Sequence, residues 1–175
     1  MPAIPPIVGP TTTIGPAFWL AAAHGSVRRH CGWHVAPLIE ETLTLDGSGG
    51  RDILLPSLRV VEVLSVTNDG VDVTTQVDTS RAGMLRLPSG CWTDRFGRVT
   101  VQLRHGYDLD EVPEVAAIIA GVAKRGPNAG RVDASEAVNG SSRGGALDRG
   151  APIAIPLLQP EKDALEPYRL EWGTR

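Results

Sequence analysis

The ten residues RRHCGWHVAP (28–37) contain two histidines and a cysteine within five positions. Cys31 and His34 have the spacing of half a structural zinc site. Such a site needs a second close pair of cysteine or histidine, whereas Cys91 and His105 each stand alone later in the sequence. We therefore predict no metal site and no cofactor, with Cys31 as a core residue and the histidines of this segment at the surface.

A cysteine nucleophile paired with a histidine is the other chemistry that this segment suggests. Such a nucleophile needs a lowered pKa, usually at a helix N-terminus, but Cys31 falls at the end of a helical pattern, where the dipole keeps the thiol protonated. His105, Gly106 and Tyr107 lie between a strand pattern and a helical one, so a strand-to-helix corner explains them better than a catalytic histidine. We predict that the protein is not an enzyme. A small hydrolase or binding module that uses Cys31 or His105 is the alternative from another functional class.

The segment that ends in this motif has the apolar spacing of a helix. Four apolar side chains recur at intervals of three and four residues: Leu20, Ala23, Val27 and Cys31. The spacing predicts a helix over residues 17–32, with Gly32 as the left-handed residue that ends it. We expect Trp33 to fold back on the sheet and Pro37 to start an extended chain. The predicted structural junction consists of Cys31, Gly32, Trp33, Pro37, His105, Gly106 and Tyr107.

Residues 40–107 change to a period of two, which predicts short strands. Within residues 99–103, three apolar side chains alternate with polar ones, as in a strand with one buried face. TNDG (67–70) has the composition of a tight hairpin turn, and DGSGG (46–50) predicts a second hairpin between the strands that flank it. About six such strands favour an antiparallel sandwich or a barrel-like sheet.

A second helix is predicted over residues 110–125, where apolar residues return to helical spacing and acidic residues open the first turn. Residues 1–16 are predicted to form an extended arm, 126–158 a linker or extended arm, and 159–175 a short helix and tail. The predicted fold class is α+β. Helices flank an inserted antiparallel sheet in a core of residues 17–125, and extended arms lie at both ends.

The charge of the chain limits its functional class. The net charge is −3 at pH 7, so no large basic face is expected for phosphate binding as a primary function. The two cysteines are far apart in a chain of 175 residues, which favours reduced thiols over a disulfide framework. Prolines interrupt the apolar runs near the N-terminus, so we expect neither a signal peptide nor a contact with membranes.

Several motifs occur together in an order that resembles a known family. They are VRRHCGWHVAP, LPSL, GRVTVQLRHGYD and DEVPEVAAIIAGVAKR, all within residues 17–125. This combination resembles the head-to-tail connector (adaptor) proteins of long-tailed bacteriophages. EAVNGSS and EKDALEPYRL are similar to the C-terminal arm and short final helix of that family. The proline-rich start, MPAIPPIVGPTTTIGP, differs from the acidic helical opening of the family.

The resemblance implies a structural role in a virion. Such adaptors form a ring, usually twelve-fold, between the portal protein and the stopper or tail-completion protein. Genome DNA passes through the ring without sequence-specific binding. The resemblance thus implies a homo-oligomeric ring in the neck of the virion, assembled in the host cytoplasm. Another neck or tail subunit, a stopper or tail terminator, is the nearest alternative. The predicted partner contacts are Arg28, Arg29, His34, Tyr168, Arg169 and Trp172.

Overall fold

The computed structural model describes residues 13–128 and 157–171. The α-helices in these ranges are α1 (Pro16–Cys31), α2 (Pro113–Arg125) and α3 (Gln159–Leu165). The strands are β1 (Ile39–Leu45), β2 (Asp52–Leu54), β3 (Val60–Asn68), β4 (Val71–Asp72), β5 (Asp78–Thr79), β6 (Met84–Arg86) and β7 (Val99–His105). The predicted α+β class is confirmed. The strands form two open antiparallel sheets, and no closed barrel occurs in the described residues.

The first sheet has the strand order β1-β7-β3-β4. β7 pairs with β1 in a continuous register that begins with Ile39 opposite His105, and its other edge pairs with β3. The predicted alternation along β7 is confirmed, because Val99, Val101 and Leu103 are buried and the residues between them are more exposed. The same inward row ends at His105, which is buried too.

The hairpin predicted at residues 67–70 is confirmed. Asn68 pairs with Val71 across a two-residue turn formed by Asp69 and Gly70. Both turn residues have positive φ, 50° for Asp69 and 84° for Gly70, as a type I′ turn requires. Asparagine, aspartate and glycine tolerate this backbone region better than other residues, which explains why the sequence signal was reliable here.

The second predicted hairpin, at residues 46–50, is wrong. The flanking strands belong to different sheets, because β1 pairs with β7 and β2 pairs with β6. The glycine-rich segment crosses between the sheets: Gly47 N–H donates to Arg95 O and Gly49 N–H to Thr93 O, both at 3.0 Å. A Cβ on Gly47 would overlap the carbonyl of Thr93. The glycine therefore permits a close approach of two backbones.

The two sheets share one apolar core. The second sheet has the order β2-β6-β5 and packs against the first. The buried side chains of this core are Ile53, Leu55, Val60, Val66, Val73, Leu85, Leu87, Trp92, Val99, Val101 and Leu103. The polar end of Trp92 is satisfied, because its Nε1 donates to Arg51 O at 2.8 Å. We call this set the sheet core.

The helices build a second core beside the sheets. Its buried residues are Val27, Cys31, Trp33, Val35, Val112, Val115 and Leu165, and we call this set the helical core. The apolar face predicted for α1 is confirmed at three of its four positions; Leu20 is 45% exposed because it borders an open groove between α1 and α2. Gly126, after α2, is not left-handed. A Cβ there would overlap the ring of Trp19, so this glycine lets the end of α2 pack against α1.

Much of the predicted arms lies outside the described residues. The structure describes only 13–16 of the arm 1–16, and only 126–128 and 157–158 of the segment 126–158. The division into core and arms therefore stays a prediction. Within the described ranges, no helix combines the length and the apolar character needed to cross a bilayer.

Candidate functional site

The chain changes direction sharply at the end of α1. Gly32 has a left-handed φ of 81° and donates its N–H to Arg28 O at 2.8 Å. Val35 also has a left-handed φ, 63°, which costs a β-branched residue about 1–3 kcal/mol. Its side chain is fully buried, and its carbonyl accepts the N–H of Tyr107 at 2.9 Å. Packing and hydrogen bonding therefore hold the junction in one conformation.

An aromatic cluster joins this junction to the C-terminal segment. Trp33 is buried, and its Nε1 donates to Tyr168 O at 2.7 Å. The ring of Tyr107 lies 6.0 Å from the ring of Trp33 and 5.5 Å from the ring of Tyr168. The Tyr168 hydroxyl donates to the Glu114 carboxylate; burial, followed by this contact, raises the pKa of Tyr168 to about 12. Trp33 thus packs in the helical core and not, as predicted, back on the sheet.

Three kinds of contact hold α3 in place. Leu165 is fully buried in the helical core. Arg125 donates two hydrogen bonds to Glu161, at 2.8 and 2.7 Å, and Leu170 N–H donates to Cys31 O at 2.8 Å. Burial alone would raise the pKa of Glu161, but the Arg125 guanidinium and a backbone N–H together lower it. The carboxylate is therefore ionised at neutral pH and links α3 to α2.

Cys31 lies in surroundings unsuited to a nucleophile. The residue is fully buried, and burial, followed by the charge of Glu166, raises the pKa of its thiol to about 11. A thiol with this pKa stays protonated at neutral pH, whereas the reactive species is the thiolate. Cys91 is exposed, and both cysteines are free. These features support the interpretation of Cys31 as a core residue.

Three possible ligand groups that are distant in the sequence meet beside the junction. They belong to His34 after α1, Glu41 on β1 and His105 at the end of β7, and one ligand atom from each lies within 4.8 Å of the others. His105 Nε2 is 3.1 Å from Glu41 Oε2, and the two imidazole rings are 4.4 Å apart. His34 Nε2 lies 3.1 Å from the carbonyl oxygen of Pro37, an exposed residue that follows a cis peptide bond. We call these three residues the His–Glu–His cluster.

The surroundings of the cluster favour the neutral form of one imidazole and leave a nitrogen of the other without a hydrogen bond among the described residues. Burial, followed by the nearby His105, lowers the pKa of His34. His105 is 1% exposed, and its Nδ1 has no hydrogen-bond partner among the described residues. Gly106 has a φ of 106°, and a Cβ there would lie 2.5 Å from His34 Nε2 and 2.6 Å from Pro37 O. Only glycine leaves room for the imidazole at this place.

The sequence patterns did not predict that these three residues lie together. A partial signal was present, because Glu41 and His105 occupy inward positions of strand rows that are otherwise apolar. The missing information was the register between β1 and β7, which brings the two side chains together. The zinc hypothesis paired His34 with Cys31, whose side chain belongs to the helical core.

Three of the six predicted partner contacts lie near the end of α1. Arg28 and Arg29 are exposed on its last turn, and His34 is half-buried. Arg28 and His34 line a groove of about 230 Å³ between α1 and α2, with mainly apolar walls such as Leu20 and Val115. These three residues remain predicted contacts.

The other three predicted contacts belong to the C-terminal segment. Tyr168 is already engaged within its own chain by Trp33, Tyr107 and Glu114. Arg169 is exposed, and Trp172 lies outside the described residues. Their role as partner contacts also remains a prediction.

Comparison with known proteins gives a match to this fold. No family profile and no curated protein matches the chain. Among solved structures, a chain of the neck of an empty GTA particle, computed with C6 symmetry, matches with a TM-score of 0.53 and 14% identity. The two chains share a fold. The match covers 91% of this chain and 79% of that chain, and GTA denotes a gene transfer agent, a phage-like particle.

Proposed function

We propose that the protein is a structural subunit of the neck of a phage-like particle. The observation that carries this proposal is the fold shared with a chain of the GTA neck, over 91% of the present chain. The order of motifs in the sequence supports the same assignment, because it resembles the head-to-tail connector proteins of bacteriophages. The match in structure does not depend on close sequence similarity, since the identity is only 14%.

Within the neck, the position we propose is that of the head-to-tail connector. In this role the chain forms a homo-oligomeric ring between the portal protein and the stopper or tail-completion protein. The ring lines the channel through which genome DNA passes. A twelve-membered ring contains the six-fold axis with which the GTA neck was computed. The net charge of −3 suits a channel wall that does not retain DNA.

This role requires no catalytic step, and we propose that the protein is not an enzyme. Of the residues that could have suggested hydrolysis, Cys31 is explained by packing in the helical core. Its thiol is buried and has a raised pKa, which does not suit a nucleophile. His105 closes the inward row of β7 and contacts Glu41.

A closed ring needs two different complementary surfaces on each subunit. The end of α1 is our candidate for one of them. Arg28 and Arg29 are exposed there, and arginine side chains are effective interface anchors. We propose that these two residues contact the neighbouring subunit in the ring.

The position in the neck is tested by imaging. The protein is mixed with the portal protein of the same particle, and the complex is imaged by electron microscopy. A ring of this chain directly beneath the portal is the expected result. A position at the tail side of the neck would make the protein a stopper or tail terminator. Failure to associate with any neck component would remove the structural assignment itself.

The contact surface is tested by charge reversal. Arg28→Glu with Arg29→Glu should reduce ring formation on the portal at least tenfold, since truncating an interface anchor costs about 1–2 kcal/mol. The matched control reverses Arg51 and Arg81, which are exposed near the second sheet. Thermal unfolding checks that both double variants fold. Equal losses in both would indicate a general charge effect, and normal assembly of the Arg28 and Arg29 variant would exclude the end of α1 from the interface.

A further inference from the structure

The His–Glu–His cluster departs from the pattern of the strands that carry it. The inward row of β7 is buried and apolar until His105, and the corresponding row of β1 is apolar except for Glu41. In the register of the first sheet, Glu41 pairs with Leu103 and His105 with Ile39, so the two polar residues are diagonal neighbours at one end of both rows. Packing alone would favour apolar side chains at both positions.

His34 reaches the same place from the segment that follows α1. The missing side chain of Gly106 leaves space for its ring there. The helical layer therefore contributes one imidazole, and the first sheet contributes the other imidazole and the carboxylate. Three separate elements converge on one point, which is the arrangement found in metal sites rather than in solvated polar surfaces.

The hydrogen bonds of the cluster are incomplete. The contact of His105 Nε2 with Glu41 Oε2 uses one ring nitrogen, and Nδ1 stays buried without a partner among the described residues. Nε2 is the ring nitrogen that faces the carboxylate, and it is therefore the ligand atom that His105 offers to an ion shared with Glu41. The exposed fraction of the Glu41 side chain, 40%, leaves a path from solvent to the cluster.

We propose that His34, Glu41 and His105 bind one divalent transition-metal ion of the zinc class. Two imidazoles and a carboxylate suit such an ion, and a water molecule would complete a tetrahedral set on the open side. The His105 Nε2 to Glu41 Oε2 distance of 3.1 Å is close to the ~3.4 Å that separates two ligand atoms of one tetrahedral zinc ion. The widest separation in the cluster, up to 4.8 Å, must close by about 1.4 Å, which rotation of the half-buried His34 and Glu41 side chains supplies.

The bound ion would cross-link the helical layer to the first sheet. His34 is fixed to the end of α1, whereas Glu41 and His105 belong to paired strands. Metal binding would thus stabilise the junction directly, because the ion binds the folded arrangement and not the unfolded chain. This proposal does not depend on the proposed function in the neck.

Metal binding is tested on the full chain after removal of metals with EDTA. Titration with ZnCl₂ in a calorimeter should give one saturable site, and CoCl₂ should produce the visible absorption of a tetrahedral cobalt ion. ZnCl₂ should also raise the melting temperature by several degrees, whereas MgCl₂ should not. Absence of saturable Zn²⁺ binding would overturn the proposal.

Matched variants locate the site. Glu41→Gln and His34→Gln should each weaken Zn²⁺ binding by at least about 10–100-fold, the loss seen even for residues that only orient ligands. Glu40→Gln is the control for Glu41→Gln, since Glu40 is the neighbouring residue on the opposite face of β1 and accepts a hydrogen bond from Gln102. His30→Gln is the control for His34→Gln. Wild-type affinity in Glu41→Gln, which keeps the size of a half-exposed side chain, would assign the bound Zn²⁺ to another place and overturn the proposal even if His34→Gln did not fold.

Discussion

The sheet core and the helical core are stabilised in different ways. The sheet core is aliphatic apart from Trp92, and its side chains come from residues 53–103. Strand pairing surrounds it, above all on both edges of β7, where the register with β1 is continuous and the register with β3 shifts twice. The helical core contains a thiol and an indole and has tyrosines at its border. Leu165 of α3 completes the helical core, although α3 is separated in the sequence from the other residues of this core by residues 129–156.

This difference indicates how the molecule should open. Residues that share a ladder and a core unfold together, whereas an element held by a few side chains can detach alone. α3 itself is held by buried Leu165 and by the Arg125–Glu161 pair. The residues just after it are held by two hydrogen bonds, from Trp33 Nε1 to Tyr168 O and from Leu170 N–H to Cys31 O. We therefore expect α3 to open at a lower free energy than the sheets do.

Two leucines that are both fully buried make the comparison measurable. Leu103→Ala in the sheet core should lower the free energy of global unfolding by about 2–5 kcal/mol, because the cavity lies under β7, which is paired on both edges. Leu165→Ala should lower it by about 2 kcal/mol at most, because the released α3 limits the cost. Chemical denaturation measures both changes.

Hydrogen exchange separates the two mechanisms. In Leu165→Ala, amides of α3 should lose protection while those of β7 keep it, whereas in Leu103→Ala the protection of β7 should fall. Equal loss of protection in both layers for Leu165→Ala would show that the two cores unfold as one unit, contrary to the comparison.

Local sequence patterns were sufficient to predict the elements that form between residues close together in the sequence. The three-and-four spacing gave α1 and α2 to within a few residues, and the period of two gave the inward face of β7. The Asn-Asp-Gly signal gave the turn before β4 because that turn is defined by its own backbone angles.

The pairing of strands that are distant in the sequence could not be predicted from local patterns. The glycines at 46–50 indicated a turn of the chain. Only the pairing of β1 with β7 and of β2 with β6 shows that β2 belongs to another sheet. The His–Glu–His cluster depends on the same register and on the backbone conformation after α1, so it cannot be predicted from residue spacing in the sequence. Trp33 was given the wrong partner because Tyr168, which accepts its hydrogen bond, is far away in the chain.

The ion pair between α2 and α3 gives a smaller and pH-dependent effect. Glu161→Gln should destabilise α3 by about 1–2 kcal/mol, since the amide carries no charge and has only one acceptor oxygen for the two hydrogen bonds that Arg125 donates. The pKa of Glu161 is lowered in the folded protein, so its contribution is present above the unfolded value near 4.5 and is lost as the pH falls through the folded pKa. The difference between wild type and Glu161→Gln should therefore shrink below about pH 4.5.

The control for this pair is Glu166→Gln. Glu166 contacts Arg169 at 3.5 Å, and both side chains are about half exposed. Such a pair contributes less than about 0.5 kcal/mol, so the variant should unfold like the wild type. If Glu161→Gln and Glu166→Gln gave the same stability at pH 7, the Arg125 contact would not hold α3.

The reaction rates of the two cysteine thiols report on the same opening of the helical core, and the measurement itself leaves the stability of the protein almost unchanged. At pH 8 the exposed Cys91 should react with a thiol reagent such as DTNB in a fast phase, and Cys91→Ser should remove that phase. Cys31 should react slowly, because burial raises its pKa to about 11 and its sulfur becomes accessible only when the helical core opens. Leu165→Ala should accelerate the slow phase by up to about 30-fold, the factor that corresponds to about 2 kcal/mol of easier opening. Equal reaction rates of Cys31 in wild type and Leu165→Ala would mean that α3 does not control access to the helical core. The difference between the two cores would then be supported only by the effect of Leu103→Ala in the sheet core.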